Sequence, residues 1–187
     1  MDRLFKIIRV ITVAPIAALI TVILLFCFKN GFFVNSVHFA AAILSLTVLP
    51  LSAYPVSLLK PKSERRKFQR SLAIVFAVTG YIIGTLYSFL SKCSGGEKVL
   101  YLTYLLSGVV IALSSFVLKR KSSGHACGIS GPVTLLTYYL SPIYALGYLL
   151  LIPVFIASVK MKRHTPAQFI SGSIIPVICF FAALITV

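Results

Sequence analysis

The chain has 187 residues, of which 59% are hydrophobic and 11% charged, and its mean hydropathy is +1.01. A soluble domain carries about 25% charged residues, and the apolar residues here come in long blocks, so the composition excludes a water-soluble globular protein. Eighteen Lys and Arg against three Asp and Glu give a formal net charge of +15. Because the basic residues lie in short segments between apolar blocks, membrane lipids are the expected partners and nucleic acid is not.

The apolar blocks predict an all-α, polytopic transmembrane helix bundle that forms a single domain over residues 1–187. A crossing of ~30 Å of hydrocarbon takes about 20 mostly apolar residues. The clear spans are residues 8–28, 36–59, 71–91, 99–118 and 166–186. The first follows a basic start, but its apolar run is long for a signal peptide and no small-residue cleavage site follows, so we expect it to be retained.

The stretch 127–159 decides the topology, because its 33 residues carry no charge. As one helix it would be about 50 Å long against ~30 Å of hydrocarbon, so a single crossing requires a steep tilt. Pro142 cannot donate a backbone hydrogen bond and disfavours helix at Ser141 before it. We therefore expect two short helices broken at Ser141-Pro142 and seven spans in total, with six as the alternative.

The distribution of basic residues favours seven spans. With seven, the N-terminus and the segments 60–70, 119–121 and 160–163 share one side, which then holds 15 of the 18 Lys and Arg. With six, the last segment moves across and the division becomes 12 to 6. Since basic residues collect on the cytoplasmic side, we expect a multi-pass protein of the cell (plasma) membrane whose basic face is cytoplasmic.

A metal or cofactor site is not expected. The four cysteines form no CxxC pair and are typical of small buried hydrophobes. The three acidic residues, Asp2, Glu64 and Glu97, are scattered along the chain, which argues against a carboxylate metal site or a pair of catalytic carboxylates. His38 stands alone at the start of the second span, and we expect it to be structural.

Two polar stretches, each containing one histidine, interrupt the apolar chain. In residues 119–126, three cations precede a serine that suits a helix N-cap, either Ser122 or Ser123, and Gly124 next to His125 lets a ligand approach the backbone. Free N–H groups and the dipole of a helix N-terminus favour an anion there.

The second polar stretch is residues 160–168. Thr165-Pro166-Ala167-Gln168 is typical of a capping box with proline at the first helical position, which places His164 just outside a helix N-terminus, again among cations. Two such histidines suit a phosphate site in which one imidazole attacks phosphorus and the other protonates the departing oxygen. The alternative is that the cations are topology signals and the histidines merely interfacial.

These residues resemble the phosphatidic-acid phosphatase type 2 superfamily, and most closely its small prokaryotic members. The likeness covers roughly residue 60 to the C-terminus. It lies in the run Lys121-Ser122-Ser123-Gly124-His125-Ala126-Cys127-Gly128-Ile129-Ser130-Gly131 and in the run His164-Thr165-Pro166-Ala167-Gln168 with Gly172 four residues on. The two histidines are 39 residues apart. Both must reach one phosphate, which requires two crossings between them and agrees with the seven-span count.

The resemblance implies a metal-independent lipid phosphatase without a cofactor. His164 would be the nucleophile that forms a phosphohistidine, His125 the general acid, and Gln168, where the family usually has Asp, would orient the nucleophile. The substrate would be a phospholipid or an isoprenoid phosphate: phosphatidic acid, phosphatidylglycerol phosphate or a polyprenyl diphosphate. The expected phosphate-binding residues are Lys119, Lys121, Ser123, Gly124, Lys160, Arg163, Arg66 and Arg70.

The chain departs from the family pattern at two places. The family has an Arg six residues before the nucleophile, where this chain has Ser158, and a Lys placed seven residues ahead of an Arg-Pro, for which segment 60–70 is the nearest candidate. A catalytically impaired member that binds or translocates anionic lipids is therefore the alternative function.

Overall fold

The computed structural model describes residues 12–117 and 122–187, except for the side chains of Lys62 and Arg66. All regular secondary structure in the described part of the chain is helical, which confirms the all-α class. Seven helices occur there: α1 Ala14–Phe28, α2 Ser36–Ser57, α3 Lys62–Leu90, α4 Gly95–Phe116, α5 Gly124–Tyr139, α6 Pro142–Lys160 and α7 Pro166–Thr186. Helix α2 contains a π-helical turn, Leu44–Val48, and α6 begins with the 3₁₀ segment Pro142–Leu150.

The break expected at Ser141-Pro142 is confirmed. Helix α5 ends at Tyr139, and the Ser141 side chain then accepts a hydrogen bond from the backbone N–H of Ile143 at 3.4 Å. Pro142 takes the first position of α6, where its missing N–H costs no hydrogen bond. The uncharged stretch is therefore two helices rather than one.

The basic segment 60–70 is not the loop that its charge suggested, because α3 begins at Lys62. Pro61 immediately precedes the first turn, and Glu64 lies within that turn, where a negative charge interacts favourably with the helix dipole. Lys, Glu, Arg and Gln are all strong helix formers. The helix therefore extends nine residues beyond the apolar block that we predicted to begin at residue 71.

Helix α5 occupies the centre of the bundle. It packs against α1, α4, α6 and α7, and ten of its sixteen residues are buried. Gly128 makes this packing possible, because a Cβ there would lie 2.6 Å from the Cα of Ala14 in α1. Because other helices shield most of its surface, α5 presents little side chain to the surroundings.

The outward faces of the remaining helices are apolar. Large side chains more than half exposed include Ile20, Ile83, Leu86, Phe89, Ile178 and Phe181. Within the described residues, five helices are long and apolar enough to cross a membrane, namely α2, α3, α4, α6 and α7, and α1 is apolar but shorter. Extensive exposed apolar surface of this kind is compatible with an integral membrane protein.

Candidate phosphate site

A cavity of about 650 Å³ opens between α1, α3, α4, α5 and the segment that joins α6 to α7. Its lining contains both motif histidines, His125 and His164, although they are 39 residues apart in the sequence. Among the described residues, two cationic side chains line the same cavity, Arg163 beside His164 and Arg70 from α3. The cavity therefore collects two imidazoles and two guanidinium groups, a set suited to a phosphate group.

The first histidine motif is positioned by the N-terminus of α5. Ser123 is the N-cap, as expected for one of the two serines, and its hydroxyl accepts a hydrogen bond from the backbone N–H of Ala126 at 3.3 Å. The Ser123 side chain is buried, and the role that the structure shows for it is helix capping. Gly124 lines the cavity, and among the described residues outside its own helical turn no heavy atom lies within 4 Å of where its Cβ would stand, so a ligand can approach the backbone there.

The second histidine motif is positioned by the end of α6. The backbone N–H of Arg163 donates to the carbonyl of Ser158, and that of Lys162 donates to the carbonyl of Val159, both at 2.9 Å. Lys162 has φ of 50°, the left-handed conformation that ends a helix in a Schellman motif. This turn reverses the chain so that Arg163 and His164 line the cavity.

The capping box predicted at the start of α7 is confirmed. The Thr165 hydroxyl accepts from the backbone N–H of Gln168 at 3.3 Å, and the Gln168 side-chain oxygen accepts from the backbone N–H of Thr165 at 3.2 Å. Gln168 is thus engaged in capping, and it is not among the residues that line the cavity. Its expected role of orienting His164 stays a prediction, while its role in the cap is observed.

The two histidine motifs dock directly on each other. The backbone N–H of Ser123 donates to the carbonyl of Gln168 at 2.9 Å. The Ser171 hydroxyl donates to the Ser122 hydroxyl at 3.4 Å. Gly172 permits this contact, because a Cβ there would collide with the Ser123 carbonyl oxygen and lie 2.9 Å from its nitrogen. The cap of α5 and the first turns of α7 therefore form one unit.

The expected cations fall into three groups. Arg70 and Arg163 line the cavity, whereas Lys160, in the last turn of α6, is not among the lining residues. Lys119, Lys121 and the side chain of Arg66 lie outside the described part of the chain. Arg70 reaches the cavity because α3 begins early, which places this residue two turns inside a helix rather than in a loop.

The inner wall of the cavity differs from its cationic end. Apolar side chains such as Ile74, Val78, Ile111 and Pro176 line it together with hydroxyl-bearing ones such as Tyr104 and Ser107. The cavity thus has one end suited to an anion and an interior suited to an apolar or weakly polar group. This wall is not predictable from the sequence, because these residues come from three separate helices, α3, α4 and α7.

A second polar cluster lies at the other end of the bundle, where α2 and α4 begin. The Nδ1 atom of His38 is 2.9 Å from Oε2 of Glu97 and 3.2 Å from Sγ of Cys93. All three residues are buried, and Glu97 is fully so. Burial and the adjacent Glu97 carboxylate raise the pKa of the Cys93 thiol to about 12, which keeps that thiol protonated at neutral pH.

This second cluster was not predicted. By sequence alone, Cys93 is typical of a small buried hydrophobe, His38 of a structural histidine and Glu97 of an isolated acid. The local signal was Ser94 followed by Glu97, a capping box that the structure confirms at the start of α4. His38 is 55 and 59 residues from its two partners, and no local pattern predicts that contact.

Comparison with known proteins adds no relative: no protein-family model, no curated protein and no solved structure matches this chain. The function of the chain is therefore inferred from its own residues and from the motif resemblance.

Proposed function

We propose that this chain is a metal-independent membrane lipid phosphatase that acts through a phosphohistidine. The observation that carries the proposal is the shared cavity, whose lining includes His125, His164, Arg70 and Arg163. A phosphate group suits this set, because guanidinium groups bind its oxygens and an imidazole can attack phosphorus. The motif resemblance supports the same chemistry.

The reaction proceeds in two steps. A ring nitrogen of His164 forms a bond to phosphorus as the bond from phosphorus to the lipid oxygen breaks, and His125 donates a proton to that departing oxygen. Arg70, Arg163 and the backbone N–H of Gly124 stabilise the negative charge on the transferring group. Water then attacks phosphorus, His125 accepts its proton, and phosphate leaves while His164 is regenerated.

The substrate is an amphiphile of the membrane. The cationic end of the cavity takes the phosphate or diphosphate, and the apolar interior accepts the part of the lipid next to it. Phosphatidic acid, phosphatidylglycerol phosphate and a polyprenyl diphosphate all satisfy this description. The proposed setting is the cell membrane, with seven crossings and the basic face in the cytoplasm, because α5 and α6 between the two histidines then provide an outward and a return crossing.

One observation favours a second candidate function, an impaired relative that binds or translocates anionic lipids. Ser158, where the family has Arg, is buried with 1% of its surface exposed, and its carbonyl completes the turn that ends α6. No cation occupies that position, so the binding of phosphate depends on other cations, of which Arg70 and Arg163 line the cavity.

Phosphate release from purified protein separates the two functions. The three lipids are presented in mixed micelles to the unsubstituted chain, to His164→Ala, to His125→Ala and to Lys162→Gly. Lys162 is exposed and is not among the cavity-lining residues, so its variant is the matched control. We expect each histidine variant to lose about a hundredfold or more in rate, and a lipid labelled in its phosphate to leave an acid-labile label on the protein that is absent from His164→Ala.

Two results would change the assignment. Phosphate release that is unaffected by His164→Ala would exclude the phosphohistidine mechanism. Absence of hydrolysis of all three lipids, together with binding to vesicles that contain them, would favour the second function.

A further inference from the structure

The cluster of His38, Cys93 and Glu97 brings three metal-ligating atoms to one point. The His38 nitrogen, the Cys93 sulfur and a Glu97 carboxylate oxygen all lie within 4.8 Å of one another. They come from three segments: the first turn of α2, the link between α3 and α4, and the first turn of α4. We propose that these three residues form a binding site for a divalent transition-metal ion, with zinc as the best match.

The donor set decides the class of metal. A thiolate and an imidazole are ligands for zinc and similar ions, whereas calcium and magnesium prefer sites built wholly from oxygen. The Cys93 thiol releases its proton when the ion binds, and a divalent ion with one thiolate and one carboxylate then forms a neutral unit. That balance suits a site in which none of the three residues is more than 8% exposed.

The distances fit an ion after a small expansion. Bond lengths typical of tetrahedral zinc place nitrogen and sulfur about 3.6 Å apart, and nitrogen and oxygen about 3.4 Å apart. The observed separations are 3.2 Å and 2.9 Å. The His38–Cys93 and His38–Glu97 contacts therefore need to widen by only about 0.4 to 0.5 Å, which side-chain rotation provides. The fourth position of the tetrahedron would take water.

The surrounding structure holds the carboxylate in the required orientation. Oε1 of Glu97 accepts hydrogen bonds from the backbone N–H groups of Val34 at 2.9 Å and Ser94 at 3.2 Å. These bonds leave Oε2 directed at His38. Outer contacts of this kind fix the geometry of metal ligands. His38 is fixed as well, because the Asn35 side chain caps its helix by accepting from the backbone N–H of His38 at 3.1 Å.

The site has no part in the proposed phosphatase chemistry. Helix α4 carries Glu97 in its first turn, and its 22 residues extend about 33 Å toward the end of the bundle where α5 begins with Gly124 and His125. An ion there would instead stabilise the packing of the start of α2 and the link between α3 and α4 against the start of α4. The link between α1 and α2 is held at the same place through the bond from Val34 to Glu97. The proposal is therefore independent of whether the chain hydrolyses lipids.

Cobalt titration of the full-length protein in detergent tests the site. The protein is stripped with a chelator, Co²⁺ is added, and the thiolate-to-cobalt charge-transfer band is followed. We expect the band to saturate at one equivalent, to disappear when Zn²⁺ displaces cobalt, and to be unaffected by Mg²⁺. Cys93→Ser should abolish it, whereas Cys179→Ser, which changes another buried cysteine on α7, should leave it intact.

A second measurement needs no variant. Zn²⁺ should slow alkylation of Cys93 in the unsubstituted chain by at least tenfold, as located by peptide mass spectrometry, and a chelator should restore the rate. Absence of a saturable cobalt band together with absence of zinc protection would overturn the proposal and leave the cluster as a hydrogen-bonded network. A band that persists in Cys93→Ser would overturn it as well.

Discussion

The backbone N–H of Ser123 donates to the carbonyl oxygen of Gln168 across 2.9 Å, and this bond joins two motifs that are 45 residues apart in the chain. His125 follows Ser123 by two residues, and His164 precedes Gln168 by four. The bond uses main-chain atoms of both motifs, so it depends on how closely the two backbones approach rather than on which side chains they carry. The contact therefore fixes the backbones of the two histidine motifs relative to each other.

Gly172→Ala should disrupt the contact. The added methyl group would meet the backbone of Ser123, which cannot rotate away as a side chain can. We expect a loss of about 1 to 3 kcal/mol in the free energy of unfolding and a fall in phosphate release, measured by thermal unfolding in detergent and by the lipid assay. Gly95→Ala is the control, because its methyl group would find its nearest described neighbour, a Val187 methyl, at 3.9 Å. An equal loss of thermal stability in the two variants would contradict the proposed clash between residue 172 and the Ser123 backbone.

Substitutions of Gln168 should separate its capping role from its expected catalytic role. Gln168→Glu keeps a side-chain acceptor for the Thr165 N–H and should preserve stability, whereas Gln168→Ala should cost about 1 kcal/mol. If Gln168 acts only through the cap, the phosphatase rate at a temperature well below unfolding changes little in either variant. A rate that falls a hundredfold in Gln168→Ala without a matching loss of stability would show that the side chain orients His164.

Arg163 and Lys162 are adjacent cations, but only Arg163 is among the residues that line the cavity. Arg163→Ala should raise the KM for the lipid about tenfold or more, because it removes a guanidinium group from the cavity wall. Lys162→Gly should leave KM nearly unchanged and preserve the end of α6, since glycine readily adopts the positive φ of 50° observed there. Equal increases in KM for both variants would indicate that only the net charge of the segment matters.

Single cysteines introduced at three exposed positions test the seven-span topology. The variants are Ser63→Cys, Lys92→Cys and Lys162→Cys, and their labelling by a membrane-impermeant maleimide in intact cells is compared with that of the unsubstituted chain. With seven crossings, Ser63→Cys and Lys162→Cys should be protected and Lys92→Cys labelled. A six-span chain would instead give Lys162→Cys the same labelling as Lys92→Cys, because one crossing between residues 122 and 160 would be lost.

The sequence by itself determined the helices, because the signals that begin and end a helix are local. Apolar blocks, the N-cap at Ser123, the capping box at Thr165 and the break at Pro142 all act within a few residues of the backbone they control. The start of α3 was missed for a related reason: a run of Lys, Arg and Glu is typical both of a loop beside a membrane and of a solvated helical turn. The segment forms a helix because Lys, Arg, Glu and Gln are strong helix formers, and because Pro61 and Glu64 suit the start of the first turn.

Tertiary structure alone decided which side chains meet. Arg70 lines the cavity with His125 and His164 because α3 packs on α4, and α5 lies among four other helices. His38 meets Glu97 and Cys93 because the link after α1 folds over the start of α4, where the backbone N–H of Val34 binds Glu97. These contacts join residues tens of positions apart, and hydrophobic pattern and capping, which are local, cannot specify them. The basic segments between the apolar blocks were readable from the sequence, whereas the cavity and the buried cluster arose only when the helices packed.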